Sequence, residues 1–176
     1  PMFHANSTFF CLLGILVNAT IYLYPLRSFD VEEFLKIVEK EKITFISLVP
    51  THYHLILNFP KKDQYDISSL KTVVCSSAPL PLSLKKQIIE YFGENKLVES
   101  YGATEFAWGT HLKPNDVFRK PASVGRPEIG IQVKIFDEKG RELPPGKVGK
   151  IYVKGFIAMK EYYKLPEKTK EAFHDG

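Results

Sequence analysis

The chain has 176 residues, of which 44% are hydrophobic and 25% charged, and its formal net charge is +4 at pH 7. This is the composition of an ordinary globular protein, and the scattered basic residues, such as the pair Lys85 and Lys86, are expected on the solvated surface, so no nucleic-acid partner is expected. The apolar run at residues 9–17 is shorter than the roughly 18–20 residues of a membrane span, so no transmembrane segment is expected.

Strands and helices alternate over the first hundred residues. We expect the run at 9–17 to form a buried helix that ends at Asn18 in the left-handed conformation and leads into a buried strand at 20–24. Asp30 and Glu33 are spaced as the capping box of a second helix. Further strands are expected at 43–49, 71–75 and 96–100, with helices at 51–58 and 84–92. Nearly all-apolar strands separated by helices indicate a parallel sheet covered on both faces.

The pattern changes after about residue 110, where glycine and proline recur every few residues. Residues 132–136 and 150–154 alternate between polar and apolar side chains, which is typical of half-exposed strands in an antiparallel sheet or barrel. Residues 137–140 form a turn, and Pro166 begins a last helix. We therefore predict two structural units with a boundary near residues 110–122.

Residues 99–105, Glu-Ser-Tyr-Gly-Ala-Thr-Glu, follow an apolar segment and are expected in a loop at the sheet edge, where open α/β folds bind ligands. They supply an aromatic ring, a glycine, a hydroxyl group and a carboxylate. A nucleotide with a metal-bound phosphate requires stacking, close backbone approach, hydrogen bonds and a hard oxygen ligand. A polar turn with an ordinary tyrosine and glutamate would look the same, and the spacing alone does not decide between the two.

Two other patterns are assigned structural roles. His52 and His54 lie two residues apart, so they do not share a helix face, and no further cysteine or histidine supports a metal site. Cys11 and Cys75 lie in apolar surroundings without a CxxC pairing. Buried free thiols in a reducing compartment, and hence a cytoplasmic location, are the simplest interpretation.

Several further segments stand in a recognisable order. They are Pro1-Met2-Phe3-His4, Ser76-Ser77-Ala78-Pro79-Leu80, Tyr101-Gly102-Ala103-Thr104-Glu105, and the stretches 123–127, 130–135, 149–155, 162–163, 166–167 and 172–176. The ordered set resembles the adenylate-forming superfamily of acyl-CoA synthetases, luciferases and peptide-synthetase adenylation domains, and is most like a fatty acyl-CoA ligase. One departure is the pair of serines at 76–77, where that family carries two glycines.

The resemblance implies an α/β fold in two parts. Residues 1–115 would belong to the N-terminal subdomain, a parallel sheet flanked by helices that carries the acyl pocket and the adenine-binding loops. Residues 116–176 would form part of a small antiparallel β-barrel with a terminal helix. The resemblance also implies that the chain is a central fragment, with a phosphate loop upstream and a ribose-binding aspartate and catalytic lysine downstream. We expect the isolated fragment to be inactive.

The implied activity is ATP- and Mg²⁺-dependent conversion of a carboxylic acid, most like a fatty acid, to acyl-AMP, followed by transfer to CoA. By resemblance, the nucleotide would be bound by Ser77, Ala78, Pro79, Glu99, Ser100, Tyr101, Gly102 and Thr104. The catalytic residues would be Thr104, Glu105 as the Mg²⁺ ligand, and His4. The acyl pocket would be lined by His4, Asn6, Tyr53 and Ala103. We expect His4 to line or gate this pocket and not to act as a general base, because a carboxylate is already ionised at pH 7.

Two alternatives remain open from the sequence. One is a non-catalytic nucleotide- or acyl-binding module with the same fold, against which the intact Glu105 argues, since a binding relic has no need of a metal ligand. The other is a different adenylate-forming enzyme, luciferase-like or a peptide-synthetase adenylation domain. The sequence leaves open the acyl chain length, the choice between aromatic and aliphatic acids, and whether the protein forms a homodimer.

Overall fold

The computed structural model describes residues 4–24 and 27–173. The helices are α1 (Ala5–Leu16), α2 (Val31–Lys40), α3 (Pro50–Leu57), α4 (Leu82–Phe92) and α5 (Pro166–Ala172). The strands are β1 (Phe45–Leu48), β2 (Thr72–Ser76), β3 (Leu97–Ala103), β4 (Ala107–Leu112), β5 (Arg126–Pro127), β6 (Ile131–Phe136) and β7 (Lys150–Gly155). Among the described residues, no helix has the length and apolar character needed to cross a membrane.

A five-stranded sheet in the order β1-β2-β3-β4-β5 forms the centre of the fold. β1 pairs in parallel with β2, and β2 pairs in parallel with β3, as the alternation of strands and helices predicts. Helix α3 lies in the connection from β1 to β2 and helix α4 in the connection from β2 to β3, so they supply the crossovers that parallel strands require. The predicted α/β class with a mostly parallel sheet is confirmed.

The hydrophobic core around the five-stranded sheet consists of apolar side chains from its strands, from the helices that cover it and from the connecting segments. Fully or almost fully buried members are Leu35, Val38, Tyr53, Ile56, Leu70, Val73, Ile88, Leu97, Leu112 and Val117. The largest of them is Tyr53, whose hydroxyl donates to the carbonyl of Val74 at 2.8 Å and whose ring meets Phe92 edge-on at 5.7 Å. The buried hydroxyl is therefore satisfied inside the core.

The predicted capping box of α2 is half formed. Oδ1 of Asp30 accepts the N–H of Glu33 at 2.9 Å. The N–H of Asp30 donates to the hydroxyl of Tyr24, also at 2.9 Å, in place of the Glu33 side chain. An aromatic side chain from outside the helix thus completes the cap.

Two predictions for the first 24 residues are wrong. α1 forms and Asn18 has a left-handed φ of 57°, both as expected, but no residue of α1 is buried. Exposed apolar side chains at its end are Leu12, Leu13, Ile15, Leu16 and Val17. Residues 20–24 form no strand. An apolar, β-branched run favours extended backbone, but a strand also needs a partner for its ladder, which local sequence does not supply.

β6 and β7 form a second, antiparallel sheet, in register from Ile131 opposite Gly155 to Phe136 opposite Lys150. Ile131 is buried and its neighbour Gln132 is exposed, which is the alternation expected of a sheet with one covered face. Asp137 fixes the turn after β6, because its Oδ1 accepts the N–H groups of Lys139 and Arg141, both at 2.9 Å. The predicted antiparallel pair is confirmed.

The chain divides into two compact units. The first comprises residues 1–101 and 110–126 and contains helices α1 to α4. The second comprises residues 102–109 and 127–176 and contains β6, β7 and α5.

Candidate active site

In the first unit, one predicted nucleotide-binding segment, residues 77–79, follows β2, and the other begins inside the neighbouring strand β3. The expected loop at 99–105 is only partly formed, because β3 continues to Ala103 and the turn begins at Thr104. The last paired residues of β2 and β3 are Ser76 and Ser100. Ser77 and Tyr101 are therefore the next residues at the same, carboxyl edge of the sheet. Residues 77–79 are exposed and Tyr101 is half-buried. This edge is where open α/β sheets bind ligands.

The turn after β2 keeps a glycine-like backbone although it carries a serine. Ser77 has φ 69°, in the left-handed region that favours glycine. A non-glycine residue holds this conformation at a cost of about 1 kcal/mol. The serine at the position of the departure thus adopts a backbone conformation that a glycine would adopt without strain.

Ser100 and Glu99 both have partners inside the first unit. The hydroxyl of Ser100 lies 3.0 Å from Nε2 of His111 on β4. Sequence reasoning missed His111, because no strand was predicted at 107–112 and the pair is made across two strands. The assignment of Ser100 to the nucleotide stays a prediction.

Glu99 is buried, with 7% of its surface exposed, and faces Lys85 of α4, which is 1% exposed. Nζ of Lys85 lies 2.5 Å from Oε1 of Glu99 and donates to the carbonyl of Pro121 at 2.5 Å. Oε1 receives no well-directed hydrogen bond from the described residues, so the contact is an ion pair of poor hydrogen-bond geometry. Burial raises the pKa of Glu99, and the ammonium group of Lys85 opposes that shift. The role of Glu99 at the adenine edge stays a prediction.

The expectation that Lys85 lies on the solvated surface is wrong. The buried positions of α4 are Lys85, Ile88 and Phe92. They are spaced three and four residues apart, so the lysine lies on the apolar face of the helix. That spacing was the signal in the sequence that could have identified it. Lys86, the next residue, is exposed.

In the second unit, Thr104 and Glu105 lie in the turn between β3 and β4. Thr104 is exposed and Glu105 is half-buried. Glu105 is held at two points, because its carbonyl accepts the N–H of Met159 at 2.7 Å and its Oε1 accepts the hydroxyl of Tyr162 at 2.8 Å. Oε2 of Glu105 accepts no hydrogen bond from any residue that the structure describes. Sequence reasoning gave Tyr162 no role.

This carboxylate fits the ligand requirements of Mg²⁺. Mg²⁺ takes one or two protein carboxylates and keeps several waters or phosphate oxygens. Glu105 offers one open carboxylate oxygen, and the described residues contain no cluster of three or more His, Cys, Asp or Glu side chains that could hold a metal by themselves. Glu105 also lines a depression of 720 Å³ together with Lys134, Lys154 and Tyr162, so it borders open space.

Gly102, in β3 shortly before this turn, has a steric role. A Cβ atom built there would lie 1.9 Å from the carbonyl oxygen of Ala107, on the strand that returns from the turn. Backbone cannot yield as a flexible side chain can, so the hairpin itself requires glycine. The assignment of Gly102 to the nucleotide stays a prediction beside this structural reason.

The residues predicted for the acyl pocket have different surroundings. His4 is exposed, and its Nδ1 accepts the N–H of Asn6 at 3.3 Å, so the ring caps α1. The side chain of Asn6 exchanges hydrogen bonds with Ser47 of β1 at 3.1 and 3.3 Å. Tyr53 lies in the core, and Ala103 is half-buried at the end of β3. Their pocket role stays a prediction, and residues 1–3 of the His4 motif and 174–176 of the last motif lie outside the described residues.

Comparison with known proteins gives consistent matches. The family model described as AMP-binding enzyme matches residues 1–163. Acyl-CoA synthetase 7 of Caenorhabditis elegans is 36% identical over 171 residues, covering 97% of this chain and 31% of that protein. Feruloyl-CoA synthase of Amycolatopsis sp is 35% identical over 178 residues, covering 100% of this chain and 35% of that protein.

A solved structure shares the fold. O-succinylbenzoate Coenzyme A synthetase (MenE) of Bacillus subtilis, in complex with ATP and magnesium ion, aligns with a TM-score of 0.89 at 25% identity, covering 100% of this chain and 36% of that one. The chain thus spans about a third of the length of these relatives. Since the family model matches all but the last thirteen residues (164–176) and the fold agrees over the whole chain, this chain belongs to the AMP-binding enzyme family, with acyl-CoA synthetases among its relatives.

Proposed function

We propose that the longer enzyme containing this chain is an ATP- and Mg²⁺-dependent acyl-CoA ligase. The observation that carries the proposal is the register of β2 and β3, which brings the exposed turn at 77–79 beside Tyr101 at the carboxyl edge of a parallel sheet. A flat ring next to an exposed small-residue turn can enclose an adenine between them. The relatives named as CoA synthetases and the ATP- and magnesium-bound structural relative support the same reading.

The proposed reaction has two half-steps. An oxygen of the acid's carboxylate attacks the α-phosphorus of ATP, the bond from that phosphorus to the bridging oxygen of pyrophosphate breaks, and acyl-AMP forms. The thiolate of CoA then attacks the acyl carbonyl, and the bond from the carbonyl carbon to AMP breaks to release AMP and the thioester. The thiol proton passes to solvent.

Each predicted residue has a defined role in this proposal. Tyr101 stacks on the adenine with residues 77–79 on its other face, while Glu99, Ser100 and Gly102 border the ring. The exposed hydroxyl of Thr104 donates to the α-phosphate, whose charge must be stabilised as the bond to pyrophosphate breaks. Glu105 would hold Mg²⁺, and the metal, when bound, would draw charge from the phosphate oxygens. His4, Asn6, Tyr53 and Ala103 complete the proposal as the acyl-pocket residues.

The acid itself is the least defined part of the proposal. The relatives include an acyl-CoA synthetase and a feruloyl-CoA synthase, so both aliphatic and aromatic acids belong in the test. The buried Cys75, which is in no disulfide, supports a reducing, cytoplasmic location. A homodimer stays a prediction.

The test is pyrophosphate release by the full-length enzyme with ATP and Mg²⁺ across a panel of fatty and aromatic acids. We expect release that depends on the acid and falls by about a hundredfold or more in Glu105→Gln, since the carboxylate acts on charge that develops in the reaction. Glu138→Gln, which changes an exposed glutamate in the turn after β6, is the matched control and should release pyrophosphate normally.

Each failure has a distinct meaning. A folded enzyme that binds ATP but releases no pyrophosphate with any acid would overturn the ligase proposal in favour of a binding module. Normal release by Glu105→Gln would overturn only the metal assignment.

A further inference from the structure

Tyr162 is joined to the predicted metal ligand although 57 residues separate the two in sequence. Its hydroxyl donates to Oε1 of Glu105 at 2.8 Å. Its own N–H donates to Oγ1 of Thr169 at 2.9 Å, and Thr169 Oγ1 donates in turn to the carbonyl of Leu165 at 3.0 Å. The segment that carries Tyr162 is thereby fastened to the first turns of α5.

The same segment also holds the backbone of Glu105, through the N–H of Met159. Main chain and side chain of one residue are therefore fixed by one stretch of chain. The main-chain bond positions the turn, so the hydroxyl of Tyr162 is not required to keep the turn in place. Its separate effect is on the orientation of the carboxylate.

A tyrosine hydroxyl is a suitable donor for a carboxylate that must stay negative. A lysine or arginine would bring a positive charge that competes with a cation. A neutral hydroxyl fixes Oε1 without adding a positive charge, so the carboxylate keeps its net negative charge and Oε2 is open among the described residues. The ring of Tyr162 is half-buried, which restricts the directions from which the hydroxyl can donate.

We propose that Tyr162 is a positioning residue that orients the Glu105 carboxylate so that Oε2 faces the metal ion. The inference rests on the proposed function, since it deepens the role of Glu105 in that site. Tyr162 touches neither the nucleotide nor the acid in this scheme. It acts only through Glu105.

The experiment measures metal binding directly. The full-length enzyme is saturated with α,β-methylene-ATP, which cannot be cleaved at the α-phosphorus, and the dissociation constant of Mn²⁺ from the complex is measured by electron paramagnetic resonance. Tyr162→Phe keeps the ring and removes the hydroxyl. We expect its Mn²⁺ dissociation constant to rise about tenfold, the usual effect of losing a hydrogen bond to a charged group. Its melting temperature should be unchanged, because the Met159 contact remains.

Tyr163→Phe is the matched control. It removes the hydroxyl of the adjacent tyrosine, which is 79% exposed and contacts Lys164 through its ring. Its Mn²⁺ affinity should equal that of the unmodified enzyme. Should Tyr162→Phe lose thermal stability, Thr169→Val is the second variant, since it removes the acceptor of the Tyr162 N–H and should weaken Mn²⁺ binding by a smaller factor.

The outcomes separate this inference from the proposed function. Unchanged Mn²⁺ affinity in Tyr162→Phe, with affinity lost in Glu105→Gln, overturns the inference and leaves the function standing. Equal loss in Tyr162→Phe and Tyr163→Phe also overturns it. Unchanged affinity in Glu105→Gln removes the metal assignment, and the inference fails with it.

Discussion

The two glutamates that flank the motif at residues 99–105 are held in opposite ways. Glu99, in the first unit, is buried and faces the ammonium group of a buried lysine. Glu105, in the second unit, is half-buried and faces a neutral tyrosine hydroxyl. An ion pair cancels the charge of a carboxylate, whereas a hydroxyl only orients it. Glu99 is thus compensated by a cation, whereas Glu105 keeps one carboxylate oxygen open among the described residues.

The largest effect we expect concerns Cys75, which lies opposite Glu99 in the pairing of β2 with β3. Burial raises the pKa of the Cys75 thiol to about 12 from its ordinary 9.0. Because the thiolate is the reactive form, alkylation near pH 8 should be about a thousandfold slower than for an ordinary thiol. Timed alkylation with peptide mapping measures the rate at Cys75, with the same thiol in the urea-unfolded enzyme as the reference. Labelling of Cys75 in the folded enzyme at the rate seen in urea would show that its thiol is accessible and would contradict this prediction.

A second prediction concerns the removal of Lys85, the cation that faces Glu99. Lys85→Met leaves Glu99 buried without its counter-charge and should lower the free energy of unfolding by about 3 kcal/mol. Urea unfolding of the full-length enzyme measures the change. Lys86→Met is the matched control on the exposed side of the same helix and should stay within about 0.5 kcal/mol. Partial recovery in Lys85→Met with Glu99→Leu would show that the cost is one of charge, and equal effects in the two single variants would contradict it.

A third prediction concerns the backbone at Gly102, in the hairpin that carries Glu105. Gly102→Ala places a methyl group against the carbonyl of Ala107 and should cost about 2 kcal/mol through displaced backbone. Gly146→Ala is the comparison, because that glycine has φ 87° but nothing within 4 Å of the added Cβ, and should cost about 1 kcal/mol of backbone strain alone. Thermal unfolding measures both. A smaller loss in Gly102→Ala than in Gly146→Ala would mean that the hairpin is free to open.

The smallest effect is a pH dependence in the first unit. His52 stacks on Phe29 with ring centroids 4.3 Å apart, and burial lowers its pKa below the ordinary 6.5. The unfolded chain then binds more protons than the folded chain below about pH 6.5, so stability falls as the pH drops through that value towards the folded pKa. His52→Phe keeps a stacking ring without titration and should reduce this loss.

The measurement is the difference in melting temperature between about pH 7.5 and pH 5.5. His54→Phe, at an exposed position of the same helix, should leave the difference as it is in the unmodified enzyme. An unchanged difference in His52→Phe would show that other groups set the pH dependence.

Local sequence patterns predicted what local forces decide. The Asp30 cap, the parallel strands and the turn at Asp137 follow from residues close together in the chain. The spacing of Lys85 to Ile88 also indicates a place on the apolar face of α4, but lysine is so rarely buried that this spacing alone does not predict its burial.

Other features depend on residues far apart. The bond from Tyr162 to Glu105 spans 57 residues, and the pairing of Ser100 with His111 requires a strand whose existence the sequence did not signal. The predicted strand at residues 20–24 does not form, and the reason is related: no local pattern shows whether a partner strand is present.

The first helix carries a practical consequence for work with this chain alone. α1 contains no charged side chain in twelve residues, and none of them is buried. Nothing on its surface provides the like-charge repulsion that keeps proteins apart in concentrated solution. Light scattering by the isolated chain should therefore rise with protein concentration, and Leu16→Lys, at a position that is 79% exposed, should lower it.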